Sequence, residues 1–336
     1  MKNGFLLIFL VAVLAALLAI LFLTDFSKPG SYKQQFSEKP IWQIRSIDTV
    51  KYSRDLAREK AKDPSFDSTI GQQVKNIKEA GANYIAISTP YDDEFKPYLN
   101  RWVNAARENS LKIWFRGNFS GWEKWFNYES IDRQTHLANT EKFILENPDL
   151  FEDGDIFTSC PECENGGPGD PRKNGDVGGF RKFLIDEYNV SKNAFAKINK
   201  GVKPGYFSMN YDVAKLIMDS STSNSLGGIS VIDHYVASPE KLSQDAKLLA
   251  RSNGSMVVIG EFGAPVEDIN GSMTEDEQAN WIIKALEGLS NTPEVIGINY
   301  WVGVGGSTQI WDEKGNPTKA VDIIKKYYNL TRQIPQ

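Results

Sequence analysis

The sequence predicts an α/β protein, a (β/α)8 TIM barrel preceded by an N-terminal transmembrane anchor helix. Three observations predict it. Short apolar strand-like runs alternate with amphipathic helical segments from residue 41 to residue 330, the order that builds a parallel sheet covered by helices. Several of those runs end in an acid, an amide or an aromatic, which suits a barrel whose chemistry sits at the C-terminal ends of its strands. Ahead of them, residues 5–23 are an unbroken apolar run without a charge.

That run is nineteen residues long, which as a helix spans roughly 28 Å, close to the hydrocarbon thickness of a bilayer. It ends in Leu21-Phe22-Leu23-Thr24-Asp25-Phe26 with no small-x-small cleavage site, so an uncleaved anchor is favoured over a cleaved signal peptide. Either reading puts the following domain outside the cell, tethered by a single pass in the first case and secreted in the second. Residues 24–40 are polar and carry Pro, Gly and Ser, the composition of a linker. The 336-residue chain is 41% apolar and 24% charged, enough to bury a sizeable core. Its net charge of −5 and lack of Lys/Arg clusters exclude nucleic acid as a partner. Nothing in the pattern requires a metal or cofactor. The two cysteines, Cys160 and Cys163, form a C-P-E-C run with both histidines, His136 and His234, far off in sequence. They are either two thiols or a local disulfide beside Glu162.

Along the chain, strand one is expected at residues 42–47 and strand two at Tyr84-Ile85-Ala86-Ile87. A helix carrying Ile70, Val74 and Ile77 at helical spacing separates them. Strand three is Ile113-Trp114-Phe115, after a helix with Tyr98, Trp102, Val103 and Ala106; strand four is Ile156-Phe157, after a helix near residues 140–145. Strand five is expected at 205–208, six at 229–232, seven at 257–259 and eight at 295–299. Ser238-Pro239 opens one helix and Thr274-Glu275-Asp276-Glu277 another, as a capping box. The last helix begins near Thr318. A doubly wound open sheet is the competing architecture, but it calls for a glycine-rich phosphate loop after strand one, and none is present.

The strand ends hold the candidate site. Strand seven runs V-V-I-G-E-F-G and delivers Glu261 to its own end. Strand four leads into S-C-P-E-C-E-N, with Glu162 and Glu164. Two carboxylates on separate strand ends are the minimum equipment for acid/base work on a glycosidic bond. Around them stand Arg116 after strand three, Asn210 after strand five, Tyr235 after strand six, and Asn299 and Trp301 at strand eight. Trp122 and Trp125 sit in a loop and are candidates to line a groove, whereas Trp114 lies within a strand and belongs to a core. Acids, amides and aromatics without phosphate-binding glycines suit a neutral polyhydroxyl ligand.

On these residues the chain resembles the retaining glycoside hydrolases of clan A, the (β/α)8 group of cellulases, mannanases and galactanases. The resemblance covers the chain after about residue 40. It implies Glu261 in I-G-E-F-G as nucleophile, Tyr235 in D-H-Y-V as its hydrogen-bonding partner and Trp301 in N-Y-W as the sugar platform. It places the acid/base after strand four, where Glu162 is favoured over Glu164 because it lies nearer the strand end. Here the chain departs from the family, which has Asn directly before the acid/base; Pro161 stands there instead. Asn165 and Asn210 are the candidates to make the missing contact. The expected substrate is a β-linked oligo- or polysaccharide. A non-catalytic glycan-binding barrel is the alternative, and a redox or metal protein using Cys160 and Cys163 is a third reading.

Overall fold

A computed structural model describes residues 36–335. The apolar run at 5–23 lies outside the described residues, and among those residues no helix is long and apolar enough to cross a membrane. Residues 36–40, expected as the end of a linker, are instead a strand: Phe36–Pro40 pairs with Thr331–Pro335 in a two-stranded sheet. Its partner lies at the other end of the chain, where local reading cannot find it.

Pro40–Thr331 is one compact unit. It is organised by a nine-stranded sheet in which every pairing is parallel. Strands one to four are Ile44–Asp48, Tyr84–Ile87, Lys112–Phe115 and Ile156–Phe157. Strand five comes in two pieces, Lys203–Pro204 and Ser208–Asn210, and strands six to eight are Ile229–Asp233, Met256–Phe262 and Val295–Tyr300. Strand eight pairs with strand one, Gly297 opposite Ile44, so the sheet curls. Its two edges are the two pieces of strand five. The sequence reading had that strand continuous across 205–208; the chain breaks at Gly205-Tyr206-Phe207, and side-chain and loop bonds bridge the gap. Thr158 Oγ1 donates to the Tyr206 carbonyl at 2.7 Å and the Glu162 amide to that of Ser208 at 2.8 Å. An open doubly wound order is excluded.

Alternation along the strands divides the apolar residues between two faces. Ile44, Tyr84, Ala86, Trp114, Ile156, Tyr206, Val231 and Val258 fill the inside of the curl as one buried cluster. The alternate residues Ile47, Ile85, Ile113, Phe115, Phe157, Val257, Ile259 and Ile298 join the outer core under the helices. Each such side chain taken from water contributes about 1.5–3 kcal/mol. The covering helices include Asp67–Glu79, Lys96–Glu108, Arg133–Glu146, Pro239–Asn253, Glu275–Ser290 and Lys319–Tyr328. The capping box at Thr274 and Glu277 forms in both directions. Ser238 precedes a helix with Pro at its start but makes no side-chain cap. A long helix, Val177–Lys197, has no counterpart in the sequence reading. Its buried face mixes Phe180, Phe183, Leu184 and Phe195 with Glu187 and Ser191, and those polar positions break the apolar period.

Candidate active site

The backbone of strand seven explains how Glu261 is presented. Ile232 pairs with Ile259 but Asp233 pairs with Glu261, and on the other side Ile298 pairs with Ile259 but Tyr300 with Phe262. The strand therefore carries an extra residue at its end, a bulge of the kind that re-aims side chains beside functional sites. Gly260 is required there, because a Cβ would stand 2.4 Å from Asp233 Oδ1.

Glu261 is gripped on both oxygens. Arg116 Nη2 donates to Oε1 at 2.8 Å and the Tyr235 hydroxyl to Oε2 at 2.9 Å. Arg116 is only 2% exposed and serves as a hub. It also donates to the Gly260 carbonyl, to Ser208 Oγ at 3.1 Å and to Asp233 Oδ2 at 3.3 Å. Its Nε lies 3.8 Å from Asp48 Oδ2, and its guanidinium sits 5.3 Å from the centre of the Trp114 ring. One cation thus faces three carboxyls on strands one, six and seven. Burial outweighs it at Asp233, which is pushed up to about 7, and raises Asp48 as well. Asn299 is fully buried and donates to Asp48 Oδ2 at 3.3 Å and to the Gly260 carbonyl at 2.8 Å. The sequence reading put Arg116 and Asn299 against substrate. In this structure both are buried and their polar atoms are bonded to protein groups, Arg116 to Glu261 and Asn299 to Asp48 and Gly260.

Replacing Arg116 by Met should leave those carboxyls without their cation, costing about 3–5 kcal/mol, the usual penalty for removing one partner of a buried ion pair. Urea unfolding of the variant measures it. A change under about 1 kcal/mol would remove Arg116 from this role.

Glu162 and Glu164 are carried by the segment after strand four. Glu162 has φ +45°, a left-handed conformation uncommon outside glycine, and its neighbours Cys160 and Cys163 are joined by a disulfide. Asn165 Nδ2 donates to Glu162 Oε2 at 2.9 Å and Asn210 Nδ2 to Oε1 at 3.3 Å. Both candidates for the missing amide contact therefore reach Glu162 itself. Glu164 is 3% exposed. Its Oε1 accepts from the Asn210 backbone amide at 2.7 Å and from Nδ2 at 3.1 Å, so it holds Asn210 in place instead of lining the opening.

The two carboxyls are both raised, and they differ in the donors that hold them. Burial pushes Glu162 up to about 8, and repulsion from Glu261 and Glu164 adds to it. Burial and Asp233 likewise push Glu261 up to about 8, with Arg116 and the Tyr235 hydroxyl opposing them. Glu261 has a guanidinium and a hydroxyl as donors, Glu162 only two amides. A guanidinium and a hydroxyl favour an anion at Glu261 more strongly than two amides do at Glu162.

Around the pair, Tyr235 meets Trp301 edge-on at 5.9 Å. Trp122, a candidate for a groove, is instead buried, stacked on Phe183 at 5.0 Å and donating to the Cys163 carbonyl. It braces the loop that carries Glu162, its N–H bonded to that loop and its ring stacked on the Val177–Lys197 helix. Trp125 stays half-buried with the Arg54 guanidinium 4.7 Å from its ring centre. Sequence reasoning missed Asp48 and Glu123 as parts of the site, and met Asp233 only as the first residue of D-H-Y-V after strand six. Glu123 is pushed up to about 7 by burial, opposed by Arg54 and Asn118, and its charge adds to the shift at Glu162. Asp48 and Asp233 were legible as acids ending strands; Glu123 carries no local signal.

No protein-family model and no curated protein sequence matches the chain. Solved structures do. A GH5_18 variant from Bifidobacterium longum subsp. longum, in complex with Manb1-4GlcNAc, matches with TM-score 0.65 at 14% identity, over 85% of this chain and 78% of its own. The fold is that of the TIM-barrel glycoside hydrolases. A GH5_18 from B. longum subsp. infantis matches at TM-score 0.63 and 13% identity, over 87% of this chain and 80% of its own. A GH2 beta-galacturonidase from Eisenbergiella tayi, bound to galacturonate, matches at 0.57 and 14%, over 88% of this chain but 53% of its own. Among the described residues no group of three or more His, Cys, Asp or Glu is arranged to hold a metal ion.

Proposed function

We propose that the protein is a glycosidase that cleaves β-linked oligo- or polysaccharides with retention of configuration. One observation carries the reading: Glu261, gripped on both carboxyl oxygens by Arg116 and Tyr235, stands within electrostatic reach of a second carboxyl, Glu162, on the segment after strand four. The fold shared with GH5_18 and GH2 enzymes supports it. In the first step Glu261 attacks the anomeric carbon, the bond to the leaving oxygen breaks, and the Glu162 proton passes to that oxygen. The product is a glycosyl ester on Glu261. In the second step the Glu162 carboxylate takes a proton from water, the hydroxide equivalent attacks the anomeric carbon, and Glu261 leaves as a carboxylate. Tyr235 and Arg116 stabilise the charge that Glu261 regains. Trp301 supplies an aromatic face for the sugar.

The pH dependence has a definite sign. Glu162 works as an acid in the first step, so activity is present below its pKa and lost above it. With substrates of poor leaving groups, kcat/KM should decline as pH rises through about 8. The decline should be absent in Glu162→Ala. An alkaline limb that persists in that variant would assign the proton elsewhere. The function as a whole is tested by screening the 336-residue chain against β-linked manno-, gluco- and galacto-oligosaccharides and their aryl glycosides. Turnover that Glu261→Gln abolishes is the expected result; glycan binding without turnover by the unmodified protein would favour a binding module.

A further inference from the structure

Glu162 lies inside a covalent ring. The disulfide between Cys160 and Cys163 closes the run Cys160-Pro161-Glu162-Cys163, and Pro161 holds its own φ fixed within it. Little backbone freedom is left to Glu162, which adopts φ +45°. A residue with a side chain keeps that conformation only where its surroundings impose it.

The ring is fastened at both ends. Cys160 and Cys163 are buried, at 0% and 2% exposure. Asn118 Nδ2 donates to Cys160 Sγ at 3.6 Å, sulfur being a weak acceptor. Asn118 is itself fixed, because its Oδ1 accepts from the Phe119 amide at 2.8 Å and from His136 Nε2 at 2.9 Å. His136 Nδ1 in turn lies 2.7 Å from Glu187 Oε1. At the other end of the ring, Trp122 Nε1 donates to the Cys163 carbonyl at 3.1 Å. The two cysteines are therefore tied to the segment after strand three and, through His136 and Glu187, to the Arg133–Glu146 and Val177–Lys197 helices. Asn165, which donates to the Glu162 carboxyl, belongs to the turn that starts at Cys163, so that contact depends on the ring as well. Glu261 does not depend on it. The bulge in strand seven aims that side chain, and Arg116 and Tyr235 hold it.

We propose that the Cys160–Cys163 disulfide positions Glu162, and that opening it disables proton transfer to the leaving oxygen while sparing attack by Glu261. The proposal rests on the glycosidase reading above and adds a redox dependence to it. A dithiol reductant opens the bond by exchange. One of its thiolates attacks a protein sulfur and releases the other; its second thiol then attacks the mixed disulfide and leaves as a cyclic disulfide. Two electrons and two protons pass to the protein, and Cys160 and Cys163 become thiols. The backbone at Glu162 regains its rotation, and a displacement of the carboxyl by about 1 Å is enough to cost roughly a hundredfold in rate.

The experiment compares the unmodified protein, the same protein after dithiothreitol, and Cys160→Ser/Cys163→Ser, which keeps the shape of both side chains without the cross-link. Thiol titration shows whether the reductant has opened the bond; should the buried bond resist, the serine variant decides alone. Each form is assayed on a β-linked disaccharide and on an activated aryl glycoside of the same glycone with azide present, which needs no proton transfer by Glu162 in either step. For the disaccharide, kcat/KM should fall roughly tenfold to a hundredfold in both opened forms. The aryl glycoside should stay within about twofold, and reoxidation should restore the reduced protein but not the variant. Disaccharide hydrolysis by the serine variant within about twofold of the unmodified rate overturns the proposal. Equal losses on both substrates overturn it too, since they would mean damage to the whole site. Absence of turnover of both substrates by the unmodified protein would instead end the glycosidase reading itself.

Discussion

Glu261→Gln should lose hydrolysis by about 10⁴-fold or more, the scale seen when a catalytic nucleophile is removed, while binding of the glycan survives. The amide preserves the shape of the side chain and still accepts a hydrogen bond on its oxygen. It cannot form the glycosyl ester, and it no longer matches both donors, since Arg116 Nη2 and the Tyr235 hydroxyl each need an acceptor. One of them must face an NH2 group. The variant should therefore also be somewhat less stable, by the cost of one unsatisfied buried donor, about 1–3 kcal/mol. Steady-state rates and glycan titration on the same preparation separate loss of chemistry from loss of binding. Residual turnover near the unmodified rate would end the nucleophile assignment.

The second large effect belongs to Glu162. Its removal should cost about 10²–10⁴-fold on substrates whose leaving oxygen needs a proton, the usual contribution of general acid catalysis. For activated aryl glycosides, which leave without protonation, the first step should be nearly spared and the second slowed, because water then lacks its base. Azide should restore turnover by attacking the glycosyl ester in place of water, giving a β-glycosyl azide. Glu164→Ala is the control. Glu164 bonds Asn210 and not the reacting atoms, so its loss should act through the position of Asn210 and show no azide rescue. Rescue in Glu164→Ala and none in Glu162→Ala would reverse the two roles.

The sequence disclosed what is local. Strand seven was visible as a buried apolar run stopped by an acid, and the capping box at Thr274 fixed where a helix starts. Glu162, Glu261, Tyr235 and Trp301 were each readable as polar or aromatic groups following a strand. What lay hidden depends on contacts between distant segments. The break in strand five follows from bonds that Thr158 and Glu162 make to the backbone of residues 206 and 208. The Val177–Lys197 helix was masked by Glu187, whose burial is made possible by His136 at 2.7 Å, a partner fifty-one residues away. Arg116 looked like a substrate ligand because a lone Arg after a strand says nothing of the three carboxyls converging on it. Glu164 resembles Glu162 in sequence; what distinguishes it is that its Oε1 takes both the backbone amide and the side-chain amide of Asn210.

The central claim is a two-step displacement through Glu261, and the anomeric configuration of the first-formed sugar tests it most directly. The β-linked substrate turned over in the screen is hydrolysed at high protein concentration inside an NMR tube, and the H1 signal is followed before mutarotation. The account predicts that the β anomer appears first and the α anomer only later. This is the outcome of two inversions at one carbon, with carboxyls about 5–5.5 Å apart. First appearance of the α anomer would mean a single displacement by water across a wider gap, and would contradict Glu261 as a nucleophile.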